Sequence, residues 1–143
     1  MRALVQRVSH ARVTVGGEEI SAIGPGMLVL LGVAHDDTEA IADRMAVKLK
    51  ALRIFADAEG RMNEPLGDRE VLCVSQFTLY ADARRGNRPS YVAAARPEHA
   101  EKLYERVSDR LGARRGAFGE HMEIELVNDG PVTILIEFAA DAT

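Results

Sequence analysis

Two short segments, far apart in the sequence, carry the residue types that could do chemistry. Residues 75–80 read Ser-Gln-Phe-Thr-Leu-Tyr and place two aliphatic hydroxyls and an amide at the end of an apolar strand. Residues 127–133 read Val-Asn-Asp-Gly-Pro-Val-Thr, with a Gly-Pro peptide that can adopt unusual backbone geometry between two further strands. Together the segments indicate a site that is built from the main chain as much as from side chains.

Thr78 is a candidate nucleophile, but no base for it is evident in the neighbouring sequence. Ser75 and Thr78 are three positions apart on a predicted strand, so their side chains should point to opposite faces and should not act as a pair. The segment, with Gln76 and Phe77, can also work through its backbone. If the strand ends here, the N–H groups of Phe77 and Thr78 lose their ladder partners, and one well-aimed donor to a developing oxyanion is worth roughly 2.7–4 kcal/mol.

The Gly130–Pro131 pair has a simpler interpretation as a turn between two strands. An X–Pro bond in a folded protein is cis only about 5–6% of the time. Physical chemistry alone therefore does not predict a cis bond at this position.

Conventional catalytic constellations are absent from the sequence. The four histidines lie in unrelated contexts, without His-x-x-x-His or Cys-x-x-Cys spacing. The run His35-Asp36-Asp37 could touch a metal, but a loop with a helix cap is the better interpretation. Cys73 lies inside an apolar strand, which favours a core residue over a nucleophile. We therefore expect neither a metal nor a cofactor.

Arginines supply nearly all of the positive charge, and several of them cluster. Arg84, Arg85 and Arg88 share one short polar segment. Arginine forks suit phosphate oxygens, although solvated loops would have the same composition. The net charge of −4 argues against a protein that coats nucleic acid, but it permits a local basic patch.

Period-two patterns and turn signals predict the strands that position these segments. In chain order, the predicted strands are Leu4–Val8, Arg12–Val15, Glu18–Ile23, Met27–Val33, Arg53–Ala56, Val71–Tyr80, Met122–Leu126 and Val132–Phe138. Gly16-Gly17 is a strong hairpin signal between the second and third of them. The strand from Met27 is apolar on both faces, as a central strand would be.

Helical periodicity predicts two main helices. Asp36 with Glu39 resembles a capping arrangement ahead of the first helix. The second helix begins at Pro97 and ends at Gly112, a favoured C-cap residue, and residues 91–95 could form a further short helix. We predict an α+β fold: a mostly antiparallel, curled or barrel-like sheet packed with two main helices, in a single domain over residues 1–143.

The bulk composition predicts a cytoplasmic protein without membrane association. The longest apolar run, Met27–Ala34, falls short of the roughly 18 residues of a membrane span. The first residues become polar too soon for a signal peptide. The single cysteine excludes an internal disulfide and fits a reducing compartment.

The two segments resemble the signature motifs of the D-aminoacyl-tRNA deacylases, also called D-tyrosyl-tRNA deacylases. The resemblance extends over nearly the whole chain, with Tyr91 standing where the family usually has phenylalanine. The residues that carry it are Val5-Gln6-Arg7-Val8, residues 26–33, Arg61-Met62-Asn63, residues 75–79, Gly86-Asn87-Arg88-Pro89-Ser90 and residues 130–133.

The resemblance implies a homodimer that hydrolyses the ester between a D-amino acid, or glycine, and the terminal ribose of tRNA. It implies that the Gly130–Pro131 bond is cis and that this peptide enters the active site of the neighbouring subunit. There the carbonyls of Gly130 and Pro131 would reject an L side chain sterically, with Arg7 holding the peptide and Ser75 contacting the substrate. By this resemblance Arg84, Arg85 and Arg88 become candidates for contact with the tRNA acceptor end.

Two mechanisms stay open for such an enzyme. Either Thr78 is the nucleophile, or the ribose 2′-hydroxyl assists a water while the N–H groups at Phe77 and its neighbours stabilise the oxyanion. We favour the second, because Thr78 has no evident base and the ester is already reactive. Two other classes of function stay open as well: a non-catalytic tRNA-binding module and a small-molecule amino-acid esterase.

Overall fold

The two longest strands pair antiparallel in the computed structural model, which describes residues 1–139. In chain order, the elements are β1 (Arg2–Val15), β2 (Glu18–Ile23), β3 (Gly26–Gly32), α1 (Glu39–Ala51), β4 (Phe55–Ala56), β5 (Met62–Glu64), β6 (Glu70–Ser75), a 3₁₀ helix (Phe77–Tyr80), α2 (Pro97–Leu111), β7 (Arg114–Arg115) and β8 (Glu123–Glu137). Strands β4 and β5 form a separate two-stranded sheet, and all other strands belong to one sheet.

The main sheet is mixed but mostly antiparallel. Strand β1 pairs with β8 along one edge and with β3 and then β2 along the other, always antiparallel. Strand β6 runs parallel to β3, and β7 runs parallel to β6. The Ser21 hydroxyl of β2 donates to the Arg115 carbonyl of β7 at 2.6 Å, so the two ends of the sheet approach each other. The predicted α+β fold, a curled sheet packed with two helices, is confirmed.

Alternate residues of the strands bury two separate apolar layers, as the period of two requires. One face of the sheet packs on α1 and α2, and the other lines the inside of the curl. The helix-facing layer includes Ala3, Val5, Val29, Leu31, Cys73, Met45, Leu49, Leu103 and Val107. The layer inside the curl includes Val8, Val13, Ile23, Leu28, Leu72 and Val74.

The helix ends agree with the sequence signals in two cases and disagree in one. Pro97 occupies the first turn of α2, and Gly112 ends that helix in the left-handed conformation at φ +62°. The predicted cap role of Asp36 is wrong: the Thr38 hydroxyl caps α1 by accepting from the Ile41 N–H at 3.2 Å. None of the helices within residues 1–139 has the length and apolar character needed to cross a membrane.

Several predicted boundaries are wrong, and in β1 and β8 they mark irregular pairing within one strand. Residues 4–8 and 12–15 belong to the single strand β1, and residues 123–126 and 132–137 belong to the single strand β8, which excludes Met122 and Phe138. The predicted strand Val71–Tyr80 ends at Ser75. The predicted helix over residues 91–95 is a turn in which Ala94 bridges to Ala34.

Candidate active site

The first segment leaves the sheet as soon as its pairing stops. The Gln76 N–H donates to the Leu31 carbonyl at 2.8 Å, and the chain then turns into one turn of 3₁₀ helix. The Leu79 N–H closes that turn on the Gln76 carbonyl at 3.2 Å. Within residues 1–139, the N–H groups of Phe77 and Thr78 have no hydrogen-bond acceptor. As the first donors of a helical turn, they are free to bind a ligand.

A glycine of β3 determines how closely this turn packs on the sheet. A Cβ atom at Gly32 would lie 3.1 Å from the Gln76 carbonyl oxygen and 3.1 Å from the Leu79 Cβ. Contacts this short would require the neighbouring atoms to move. The missing side chain at Gly32 therefore allows the turn to lie directly against β3.

Thr78 lies at the surface of the turn without a base. Its hydroxyl oxygen accepts a hydrogen bond from the side-chain amide of Gln76. Among residues 1–139, no histidine or carboxylate forms a hydrogen bond with this hydroxyl. The expected arrangement of Ser75 and Thr78 on opposite faces of one strand is wrong, because Thr78 follows the strand end. The geometry still provides no activation of Thr78 as a nucleophile.

A cavity of about 540 Å³ opens beside the turn. Ser75, Gln76 and Phe77 form one of its walls. The rest of the lining is mostly apolar and comprises Val74, Tyr91, Ala94, Ala95, Pro97, Ala100, Phe118, Gly119, Glu120, Met122 and Ile124. An apolar cleft with a few polar groups on one wall is the usual form of a small-molecule site.

Aromatic side chains hold two sides of this cavity. Phe77 and Tyr91 meet edge to face, with their ring centroids 5.1 Å apart. Phe118 packs on Tyr104 at 5.9 Å, and the Tyr104 hydroxyl donates to the Cys73 carbonyl at 2.8 Å. The sequence does not reveal Phe118 or Met122 as site residues: Phe118 lies in a loop without a periodic pattern, and the alternation at Met122 indicates only the start of a strand.

Cys73 is a core residue, as its apolar context predicted. Its thiol is fully buried, and this burial raises the pKa of Cys73 to about 12. The thiol therefore stays protonated at neutral pH and is a poor nucleophile. Within residues 1–139, His, Cys, Asp and Glu side chains form no group of three that could hold a metal.

The second segment is a bulge in β8 and not a turn between strands. Asn128 pairs with Val8 and Thr133 pairs with Gln6, so residues 129–132 all lie opposite Arg7. The predicted turn is therefore wrong, since β8 continues in the same direction beyond the bulge. The Gly130–Pro131 peptide bond is cis, Gly130 has φ +141°, and both residues are exposed.

Two side chains hold the base of this bulge. Arg7 donates from Nε to the Asp129 carbonyl at 2.9 Å and from Nη1 to the Ile54 carbonyl at 2.7 Å. The Asn128 side chain accepts from the Val132 N–H at 3.0 Å and donates to the Thr133 hydroxyl at 2.9 Å. The tip of the bulge, in contrast, projects into solvent.

Within one chain the two segments lie apart. Arg7, which faces the bulge, pairs with Met27 at the start of β3, whereas Ser75 pairs with Leu31 near its end. Four residues of strand correspond to about 13 Å, and the width of the sheet adds to this distance. Neither Gly130 nor Pro131 lines the cavity. The bulge therefore does not reach the cavity of its own chain.

The three clustered arginines differ in their surroundings. Arg84 donates from Nε and Nη2 to the two carboxylate oxygens of Asp82, at 2.9 and 2.7 Å. These hydrogen bonds lower the pKa of Asp82 to about 2. Arg85 and Arg88 are exposed, and within residues 1–139 they form no ion pair. Arg84 is therefore partly neutralised, whereas the other two are available to an anion.

Comparisons with known proteins agree with the motifs. The family model for D-Tyr-tRNA(Tyr) deacylase matches residues 4–137. Two relatives named D-aminoacyl-tRNA deacylase are 58% identical (Symbiobacterium thermophilum) and 50% identical (Thermus aquaticus), each covering 96% of this chain and 95% of the relative. The chain therefore belongs to the D-Tyr-tRNA(Tyr) deacylase family, as the motifs predicted, and it is an ester hydrolase of the deacylase class.

Solved structures agree with the fold described above. The structure of a c-Myc DNA unwinding element binding protein is similar at TM-score 0.92 and 42% identity, covering 98% of this chain and 100% of the other. A probable eukaryotic D-amino acid tRNA deacylase has TM-score 0.81 at 15% identity, covering 94% of this chain and 97% of the other. At that low identity, the second comparison supports the fold alone.

Proposed function

We propose that this protein hydrolyses the ester between a D-amino acid, or glycine, and the terminal ribose of tRNA, releasing the free amino acid and tRNA. The observation that carries this proposal is the pair of unpaired donors, the N–H groups of Phe77 and Thr78, in a turn whose residues Gln76 and Phe77 line an apolar cavity. The names and near-complete coverage of the relatives support the same substrate class.

The cavity suits the terminal nucleoside of the substrate. Its walls are apolar and partly aromatic, as is the face of a nucleobase, and Phe118 and Tyr91 both line it. A nucleoside in this position brings its ribose ester towards Gln76 and Phe77. The free N–H groups then stabilise the oxyanion that forms when water attacks the ester carbonyl.

The substrate itself assists the attacking water in this proposal. Thr78 has only an amide donor beside its hydroxyl, whereas the ribose 2′-hydroxyl is adjacent to the ester. A tRNA that ends in 2′-deoxyadenosine should therefore react at least about 100-fold more slowly, the lower end of what a positioned proton-transfer group contributes. Equal rates for the two substrates would favour Thr78 as the nucleophile.

Chiral selection, in this proposal, comes from Gly130 and Pro131 of a second copy of the chain. A wall of backbone carbonyls cannot rotate away, so an L side chain clashes with it while a D side chain points outward. Each tenfold of rejection corresponds to about 1.4 kcal/mol, which a steric clash easily supplies. The exposure of the bulge, and its distance from the cavity of its own chain, support action in the neighbouring subunit.

The face of β8 supports a homodimer. Leu135 is 59% exposed and pairs across the sheet with Leu4, which pairs in turn with Leu30. These three leucines form an apolar row on the sheet. Within residues 1–139, β8 pairs only with β1, so its other edge is also open. An open edge beside exposed apolar residues is a common interface between copies of one chain.

Arg85 and Arg88 are the arginines that we propose for contact with the phosphates of the acceptor end. Both are exposed, and their loop is closed at its base by two backbone hydrogen bonds between Asp82 and Ser90, of 2.8 and 2.9 Å. Because charged tRNA is used in the cytoplasm, we place the protein there.

Hydrolysis of matched D-tyrosyl-, L-tyrosyl- and glycyl-tRNA by the purified protein tests this proposal. We expect rapid release of D-tyrosine and glycine and little release of L-tyrosine. Binding of tRNA without turnover would instead support a non-catalytic RNA-binding module. Faster hydrolysis of free tyrosine esters than of charged tRNA would support a small-molecule esterase.

A further inference from the structure

The side chain of Arg2 connects the 3₁₀ turn to the last strand. Its Nη1 donates to the Leu79 carbonyl at 2.7 Å, and its Nε donates to the carboxylate of Glu137 on β8. Its guanidinium carbon lies 4.5 Å from the centroid of the Tyr80 ring. We propose that Arg2 is a positioning residue that holds the turn, and with it the N–H groups of Phe77 and Thr78, in the orientation that hydrolysis needs.

The Leu79 carbonyl lacks the backbone partner that a longer helix would provide. The N–H of Asp82, three residues further on, donates instead to the Ser90 carbonyl at 2.8 Å. Arg2 therefore satisfies a carbonyl at the end of the turn, and its positive charge lies where the helix dipole is negative. A single 3₁₀ turn has few internal hydrogen bonds, so such external contacts determine its orientation.

The turn is confined from two sides. The absent side chain at Gly32 lets its inner side lie against β3, and Arg2 contacts its end through Leu79 and Tyr80. Tyr80 is buried and provides a fixed surface for the guanidinium. Glu137 in turn limits the movement of Arg2, because the guanidinium binds the Leu79 carbonyl and the carboxylate at the same time.

Arg2 acts through other residues and not on the substrate. It does not line the cavity beside Gln76; it lines a separate recess with Tyr80, Ala81 and Arg84. Loss of its side chain should therefore affect the chemical step more than substrate binding. This inference rests on the proposed function, because it assigns a role to the same donors.

A second arginine of β1 provides a matched control. Arg12 pairs with Glu125 on β8, as Arg2 pairs with Glu137, so both ion pairs cross the same two strands. Arg12 has no contact with the 3₁₀ turn in the described residues. Loss of either arginine removes an ion pair between β1 and β8, and loss of Arg12 also removes its 3.8 Å ion pair with Glu19 on β2. Only loss of Arg2 releases the turn.

The test compares kcat and KM for D-tyrosyl-tRNA among the wild type, Arg2→Met, Arg2→Lys and Arg12→Met. We expect Arg2→Met to lower kcat by about 10–100-fold, which is the effect of displacing the N–H donors by up to about 1 Å. KM should change less than about threefold. Arg2→Lys should recover part of the rate, and Arg12→Met should match the wild type. Equal kcat in Arg2→Met and the wild type, or equal losses in Arg2→Met and Arg12→Met, would overturn the proposal.

A second measurement separates this inference from the proposed function. The amide resonances of Phe77 and Thr78 should shift in Arg2→Met but not in Arg12→Met, whatever the substrate. If the wild type fails to hydrolyse D-tyrosyl-tRNA, the proposed function is wrong, and the resonances still report whether Arg2 positions the turn. Should Arg2→Met fail to fold, Glu137→Gln provides the same comparison against Glu125→Gln.

Discussion

The two segments that carry the candidate site residues interrupt their strands in opposite ways. Residues 75–80 fold against β3 at the end of β6, where Gly32 and Arg2 confine them on two sides. Residues 129–132 bulge outward from the middle of β8, held at their base by Arg7 while their tip is exposed. The first segment is a wall of a cavity in its own chain, whereas the second projects from its chain without a cavity to fill.

This difference explains why one chain carries only part of the proposed site. Donors for an oxyanion must be held rigidly, and the confined turn provides this. A steric wall must also be rigid, but it can come from any molecule that places it correctly. The contrast predicts that changes in the first segment alter the rate, and that changes in the second alter the selectivity between D and L substrates.

Removal of one donor in the first segment should have the largest effect. Phe77→Pro deletes the N–H at the first position of the 3₁₀ turn, where proline is tolerated, and Gln76, at φ −140° and ψ 78°, lies outside the α region that a following proline disfavours. We expect kcat for D-tyrosyl-tRNA to fall about 100–1000-fold. Phe77→Ala, which also removes the aromatic contact with Tyr91 but keeps the N–H, should reduce kcat much less.

A change in the second segment should instead admit L substrates. A Cβ at Gly130 would lie 2.8 Å from the Val132 Cγ2 and 3.1 Å from Arg7, at φ +141°. Gly130→Ala must therefore displace the peptide, and we expect the ratio of kcat/KM for D- and L-tyrosyl-tRNA to fall at least about tenfold, or 1.4 kcal/mol. Gly60→Ala, at φ +78° in a remote turn with open space around it, should leave the ratio unchanged.

Loss of the Thr78 hydroxyl should have a smaller effect on the rate. Thr78→Ala removes only an acceptor for the Gln76 amide and leaves the backbone donors in place. We expect kcat for D-tyrosyl-tRNA to stay within about tenfold of the wild type, since one neutral hydrogen bond contributes about 1 kcal/mol. Abolished turnover in a folded Thr78→Ala protein would identify the hydroxyl as the nucleophile.

The loop that carries Arg84, Arg85 and Arg88 should affect only the salt-dependent part of the affinity for tRNA. Arg85→Gln with Arg88→Gln should reduce the slope of log affinity for tRNA against log salt by roughly 0.7–0.9 for each phosphate that the protein no longer neutralises. Arg84→Gln should change the slope less, because Asp82 already neutralises Arg84. An unchanged slope in the double variant would mean that the loop does not contact tRNA.

The parts of the fold that were predictable from the sequence depend on local signals. Gly16 and Gly17 form the turn between β1 and β2. Both glycines have φ above +50°, and only glycine readily adopts that conformation twice in succession. Pro97 and Gly112 mark the ends of α2 for similar reasons. In each case a few adjacent residues determine the backbone.

The remaining features depend on contacts between distant residues. The apolar pattern that ends at Tyr80 does not reveal that β6 stops at Ser75, because the packing of the turn on Gly32 decides it. The contact of Arg2 with Leu79 joins residues 77 positions apart. The sequence on either side of the bulge alternates as in an ordinary strand and does not reveal it. The family resemblance alone predicted the geometry of the Gly130–Pro131 bond.

The central claim is that the two segments act together only across two subunits, and a mixed dimer tests it directly. One chain carries Phe77→Pro and retains its own bulge, and the other carries Gly130→Ala and retains its own donors. All activity of the purified heterodimer then arises at the intact donors of the second chain. If the bulge acts in the neighbouring subunit, that site receives the intact bulge, and the heterodimer rejects L-tyrosyl-tRNA as the wild type does. The claim would be contradicted if the heterodimer, per intact set of donors, hydrolysed L-tyrosyl-tRNA as fast as the Gly130→Ala homodimer does.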